Sequence, residues 1–343
     1  MRHLLTAGVC VIVVAACAGP SGPATTQSGS NGESTRHVTV LVHDSFALPD
    51  DVIAQFEQDS SLDVDFVPAG DAGTLATHIA LTAGAPLGDA VYGVDNTFAS
   101  RVLDAGAIAA YVPPNADTEL ALADALTAID FSDVCFNIDL AAYGEDAPRT
   151  LTDLTAERFA GQVSVPNPTT SSPGLALLLA TYVEFGDDWE DYWRTLRDNG
   201  LKVSASWSDS YFVDFSAPNY GGSYPIVISY ASSPPAEVID GAPTTAALLD
   251  TCFRQVEYAG VLEGAAEPEG ARAVVEWLAS DAVQSALPEA MYVYPVSTTA
   301  TVPADWLKYA PAAPSPLSLS PDEIDAHRDQ LLRTWTEIVI NGK

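Results

Sequence analysis

The sequence predicts an α/β fold: a mostly parallel sheet, covered by helices on both faces and shared between two lobes. Three observations carry this. Buried-strand runs alternate with helix-period segments from Val38 onward, which implies parallel strands joined by helical crossovers. The 343 residues exceed what one hydrophobic core usually organises. No apolar run after the N-terminus is long enough to span a bilayer.

In chain order, VTVLV reads as a strand and DDVIAQFEQDS as a helix, with Val52, Ile53 and Phe56 at helical spacing. LDVDFV alternates as a strand. AGTLATHIALTAG is expected to be helical, DAVYGV a strand and TFASRVLDAGAI a further helix. Ligands in such sheets bind beyond the carboxyl ends of strands, here HDSFA, AGDAG and VDNTF. A second α/β portion follows Cys135. GQVSVPNP is its first strand, and TTSSPGLALLLATY opens an apolar helix with Ser172 as expected N-cap and Pro173 at the first helical position. Exposed amides at such a helix start favour negative ligand atoms.

Trp189, Tyr192, Trp193 and Leu196 share one helical face, a core stripe. YPIVISYASSP is a strand ending in a small polar loop, and TCFRQVEYAGVL another strand. PEGARAVVEWLASDAVQSAL is helical. The Pro-rich PAAPSPLSLSP then connects to a last amphipathic helix capped by Ser320.

Forty-six acidic residues stand against 14 basic ones, a formal charge of -32. That argues against nucleic acid, which needs clustered Lys and Arg. It is compatible with a cationic small ligand, and equally with plain solubility of an exported chain. No GxSxG elbow, GxxxxGKS/T loop or HExxH pair is present, and His37, His43, His78 and His327 lack neighbours at metal-ligand spacing. Neither catalytic residues, nor a metal, nor a cofactor is expected. His43, Asp44 and Ser45 are adjacent on an extended segment and point in different directions, so they are no triad.

Arg2 and His3 precede an apolar run, residues 4–16, too short to span a membrane. Val14, Ala15, Ala16 and Cys17 resemble a bacterial lipoprotein box, which implies a signal peptide over 1–16 and lipidation of Cys17. Ordinary secretory cleavage is the alternative. The Gly/Ser/Pro/Thr run within 17–36 reads as a flexible tether. Cys10 lies inside the signal, which leaves Cys135 and Cys252. An even pair in an exported chain favours a disulfide over two buried thiols.

Strand-end loops supply hydroxyls, carboxylates and aromatics, among them Trp207, Tyr211, Tyr230, Tyr292 and Tyr294. Such a mixture suits an aromatic organic cation. At VDNTF, PNPTTSSPGLALLL, SWSDSY, SYASSP, YPV and PDEIDAHRDQLLRTW the chain resembles the thiamine-binding proteins of bacterial ABC importers, within the periplasmic binding-protein type II fold. The resemblance runs from about Val38 to the C-terminus. It implies two lobes joined by hinge strands: a first lobe over 37–131, a second over 132–252, a return over 253–303, and a connector with the last helix over 304–343. The crossings are expected within 130–137 and 251–260, so that a Cys135–Cys252 disulfide would tie the hinge.

The same resemblance assigns Asp71, Ala72, Ser171, Ser172, Trp207, Tyr230, Ala231, Ser232, Ser233 and Tyr292 to ligand contact, with His43, Asp44, Asp95 and Asp133 as further candidates. Ala236 stands where the family has an aromatic, Tyr292 where it has tryptophan, and His43 and Asp133 where it has tyrosine. The expected function is capture of thiamine or its phosphates by hinge closure and delivery to an ABC permease. A monomer would act at the outer face of the cytoplasmic membrane, held by its lipid. The alternatives are another cation, a polyamine or Fe(III), or ligand sensing without transport; the single tyrosine of SYASSP disfavours iron.

Overall fold

Alternating valines make Arg36–Val42 (β1) the centre of the first half of the sheet in the computed structural model, which describes residues 36–117, 120–217 and 219–343. The signal peptide, Cys17 and all of the expected tether except Arg36 lie outside these residues; Arg36 itself begins β1. β1 pairs in parallel with Leu62–Pro68 (β2) on one side and Ala90–Asp95 (β3) on the other. Asp50–Ser60 (α1), Ala72–Leu81 (α2) and Ala99–Asp104 (α3) are the crossovers and flanking helices of this half. The last of these is shorter than its sequence suggests, because Gly106 turns the chain at φ +63°.

The central strand Thr127–Asp139 (β4) is buried at all but one of its 13 residues. After Leu140–Tyr143 (α4), the second half contributes Val163–Pro166 (β5), Ser172–Phe185 (α5), Trp189–Asp198 (α6), Lys202–Ser204 (β6) and Ile226–Tyr230 (β7). Beyond it come a small hairpin, Val238–Ile239 (β8) with Ala242–Pro243 (β9), then Thr245–Ala247 (β10) and Phe253–Val261 (β11). Pro268–Leu278 (α7) and Asp281–Ala290 (α8) cover the first half. Tyr294–Pro295 (β12), Ala304–Tyr309 (α9) and Pro321–Trp335 (α10) complete the chain.

The main sheet order is β2-β1-β3-β11-β4-β7-β5-β6. Each outer half is parallel, as expected. β4 and β11 pair antiparallel between them, β11 against β3 and β4 against β7. Both strands thus run from one half into the other, and the result is a two-lobed α/β molecule. Cys135 on β4 and Cys252, just before β11, form a disulfide across a sequence separation of 117. Both are fully enclosed.

The apolar face of α5 lies between the sheet and α6, with ten successive residues buried from Ser172 to Thr181. Trp189, Tyr192, Trp193 and Leu196 of α6 are buried against it. The N-cap of α5 differs from expectation. Ser171 is the extended cap residue (φ −112°, ψ 130°), Ser172 is already helical, and Pro173 follows as the second helical position. The single helix expected over 268–287 breaks at Ser280, whose backbone is extended. Ser320 caps α10 in a full capping box with Glu323.

Candidate ligand site

The chain ends of β1, β2 and β7, the starts of α2 and α5, and the middle of β11 converge on one cleft. A pocket that takes in about 540 Å³ of space, open solvent included, is lined there by His43, Asp71, Ser172, Trp207, Tyr230 and Glu257, with Asp44, Ala72 and three serines, Ser45, Ser206 and Ser208, around them. A second cavity, taking in about 550 Å³ of space with open solvent included, shares Trp207, Tyr230 and Met291 with the first. Its other walls are Tyr211, Phe212, Tyr220 and Tyr292, with Ser233 and Ala236. One end of the site is therefore acidic and the other aromatic, with the Trp207 ring at the seam.

The acidic end is held by element termini. Asp71 caps α2 through Oδ1, which accepts the Ala72 N–H at 2.7 Å, while Oδ2 accepts the Trp207 N–H at 2.9 Å. That second bond crosses the cleft from first lobe to second. The Ser45 and Ser208 hydroxyls meet across it at 3.4 Å, and the Ser172 hydroxyl donates to Asp95. The cleft is closed in this structure. α2 approaches the opposite lobe so tightly that a Cβ on Gly73 would lie 2.7 Å from the Thr170 carbonyl oxygen. Burial pushes the Asp71 carboxyl up from its ordinary value, against the opposing effect of the two amides. The Ser171 hydroxyl approaches Asp71 and favours its ionised form, yet makes no hydrogen bond of full geometry.

His43 and Glu257 sit deeper, with His43 Nε2 3.4 Å from Glu257 Oε2. Glu257 stands opposite Asp130 in the β4–β11 register. The Tyr92 hydroxyl donates to Asp130, whose carboxyl is driven well above its usual range by burial and then by Glu257.

The aromatic end is built largely by one irregular stretch. The chain makes a π-type turn over Asp209–Asp214, which brings Tyr211 flat against Trp207 at 5.2 Å. Phe212 meets the edges of Trp207 and Tyr220 at 5.4 and 5.1 Å. Trp207 Nε1 donates to Ser229, and Glu237 anchors the wall by accepting from the Tyr211 hydroxyl and the Asn219 amide. The small Ala236 leaves room that Phe212 and Tyr220 border.

Of the residues assigned from sequence, His43, Asp44, Asp71, Ala72, Ser172, Trp207 and Tyr230 line the first cavity, and Ser233 and Tyr292 the second. Ser171 lies beneath, at the cap of α5. Ala231 packs beside the disulfide, and the Ser232 hydroxyl is 2.9 Å from that of Ser132, so neither borders the cavities. Asp95 faces inward: it accepts the Thr97 and Phe98 amides and the Ser172 hydroxyl, and burial raises its carboxyl to about 7. Asp133, a further candidate from sequence, is paired with Arg254 at 2.6 Å and accepts the Ala313 N–H at 2.8 Å, and it lines neither cavity.

Tyr294 is likewise no exposed ring; it is buried, stacked on Phe131 at 5.1 Å. Sequence reasoning missed Glu257, although a lone carboxylate inside the apolar strand VEYAGV was the available signal. It also missed Phe212, Tyr220 and Met291, which no spacing rule would find. Among the described residues, no cluster of His, Cys, Asp or Glu has the arrangement of a metal site.

The chain is 26% identical over 317 residues to the thiamine-binding periplasmic protein of Escherichia coli (strain K12), covering 88% of this chain and 93% of that one. It is 23% identical over 310 residues to the thiamine-binding periplasmic protein of Brucella suis biovar 1, covering 87% and 90%. A solved periplasmic thiamin binding protein superposes with a TM-score of 0.77 at 25% identity, covering 88% of this chain and 96% of that one. Residues 86–315 match the family described as bacterial extracellular solute-binding protein. With the two-lobed α/β fold and a cavity at its cleft, the chain belongs to the bacterial extracellular solute-binding proteins.

Proposed function

We propose that this solute-binding protein captures thiamine, or a thiamine phosphate, and is no enzyme. The observation that carries the reading is the single cleft with an acidic end and an aromatic end joined at Trp207. Thiamine has a cationic ring and a flat pyrimidine, and π-faces with nearby carboxylates suit both. The relatives that share most of the chain's length carry the same ligand in their names. The serines at the start of α5 and the α5 amides would meet polar groups of the ligand. Closure would follow from motion of the lobes, 37–131 with 253–303 against 132–252, about β4 and β11, and the closed form would be presented to an ABC permease.

In the same reading the signal peptide 1–16 is removed, Cys17 carries lipid, and 17–36 tethers a monomer to the outer face of the cytoplasmic membrane. Calorimetry with thiamine, its mono- and diphosphate, and spermidine tests the ligand. Saturable binding of one thiamine form is expected. No heat from any thiamine form at millimolar concentration overturns the proposal. Radiolabelled palmitate incorporation that survives in Cys17→Ala would overturn the anchor.

A further inference from the structure

The deepest part of the cleft holds a charge pair that is incompletely satisfied. His43 and Glu257 face each other with side chains only 10% and 9% exposed. Their facing atoms, Nε2 and Oε2, make no hydrogen bond. Leaving such atoms unpaired in a buried setting is costly. Their other atoms are occupied: the Ser45 N–H donates to His43 Nδ1 at 3.1 Å, and the Gln255 amide donates to Glu257 Oε1 at 3.1 Å. The neutral ring therefore carries its proton on Nε2, aimed at Glu257. The ring's place is fixed by β3, where a Cβ on Gly93 would fall 2.2 Å from His43 Cδ2. Both residues line the acidic cavity.

Among the described residues, the ionisable groups coupled to this pair are acids and phenols. Asp44 follows β1, Asp71 stands at the start of α2, and Asp130 lies across on β4. Asp95 and Tyr92 come from β3, and Tyr230 from β7. No Lys or Arg is among the described residues that line the cavity. His43 is thus the local positive charge available to Glu257.

We propose that Glu257 is the counter-charge for the captured cation and that the His43 proton competes for it, so that ligand capture releases a proton. The proposal rests on the cation reading above. The exchange balances: imidazolium facing carboxylate, plus ligand cation, gives neutral imidazole, a carboxylate facing the ligand, and one proton to solvent. Within the site burial lowers the imidazole's affinity for protons, but Glu257, Asp71 and Asp44 outweigh it and hold His43 above its ordinary value. A cation on Glu257 removes that field and adds a like charge, which lowers the imidazole again. The complex then holds fewer protons than the free protein, so affinity rises with pH. The rise reaches about tenfold per pH unit between the liganded and free His43 values, and is flat above the free value.

The test is titration calorimetry of the full chain with thiamine and with spermidine, from about pH 6 to 8, in two buffers of different ionisation heat. Wild type is expected to release up to one proton and to bind more tightly as pH rises. His43→Gln should bind without proton release. Glu257→Gln should bind at least about tenfold more weakly, also without release. In parallel, an NMR titration without ligand should show the His43 ring, assigned by its loss in His43→Gln, titrating at lower pH in Glu257→Gln than in wild type. Equal heats in both buffers for wild type, release that persists in His43→Gln, or an NMR titration unmoved by Glu257→Gln each overturns the proposal. Wild type that takes up neither cation overturns the ligand reading instead, while the NMR arm still decides whether the two residues are coupled.

Discussion

The two ends of the cleft are made by different means. At the acidic end, His43 follows β1, Asp71 caps α2 and Glu257 lies mid-way along β11, so each charge is placed by regular structure. At the aromatic end, Trp207, Tyr211, Phe212 and Tyr220 come from one irregular run with a π-type turn, braced by the buried Glu237. Charge is thus fixed by the sheet, and shape by a loop. In such a design the sign of the ligand is hard to change, whereas its outline can drift with a few loop residues. Ala236 beside Phe212 and Tyr220 fits this: the aromatic expected at one position is absent, and rings from the loop border the gap.

Trp207 belongs to both ends, so its removal should have the largest effect. Trp207→Ala deletes the seam ring and the Nε1 bond to Ser229. A central aromatic anchor of this kind is worth about 3–4 kcal/mol to binding, and thiamine binding should fall below detection by calorimetry. The circular dichroism spectrum should stay native, because the ring lines a cavity and is only half-buried. Unchanged affinity would show that the two cavities do not act on one ligand.

Asp71 tests the acidic end alone. It accepts one amide from its own helix and one from the opposite lobe, so it both caps α2 and latches the closed cleft. Asp71→Asn keeps the shape, but its amide group can satisfy only one of those donors. Hydrogen bonds to a charged acceptor contribute about 1.5–3 kcal/mol, and affinity should fall by roughly that amount. Small-angle scattering of the unliganded variant should show a wider molecule than wild type. An unaltered profile would mean that the Trp207 amide bond does not hold the lobes together.

Much of the order of strands and helices was readable because those elements carry a clear period, whereas the strand over 127–139 was expected only as a crossing. β1 and β7 are largely apolar runs, and the four aromatic and aliphatic residues of α6 fall on one face. The Cys135–Cys252 bond was expected from an even pair of cysteines and from the place of both near the crossing strands. What failed did so locally. Ser171 and Ser172 both suit a cap, and only tertiary contact decides: the Ser172 hydroxyl is drawn to Asp95, which lies 77 residues away in sequence. Asp133 is a ligand candidate in the sequence, and its pairing with Arg254, 121 residues distant, shows only in the fold. Glu257 stayed hidden for the converse reason, since a charge in a strand shows its purpose only when His43 and the cavity are brought to it.

Phe212 offers the smallest and sharpest test of the aromatic end. It is 44% exposed, touches Trp207, Tyr211 and Tyr220 edge-on, and contributes nothing to the acidic cavity. If shape is a property of the loop, Phe212→Ala should weaken thiamine binding by only about 0.5–1.5 kcal/mol, the size of one edge-to-face aromatic contact. The loss should be the same at about pH 6 and pH 8, because the variant leaves His43 and Glu257 in place. It should also narrow the difference between thiamine and spermidine, which has no ring to stack. A loss that grows with falling pH would mean that the aromatic wall sets the protonation of the acidic end, and the division between the two would not hold.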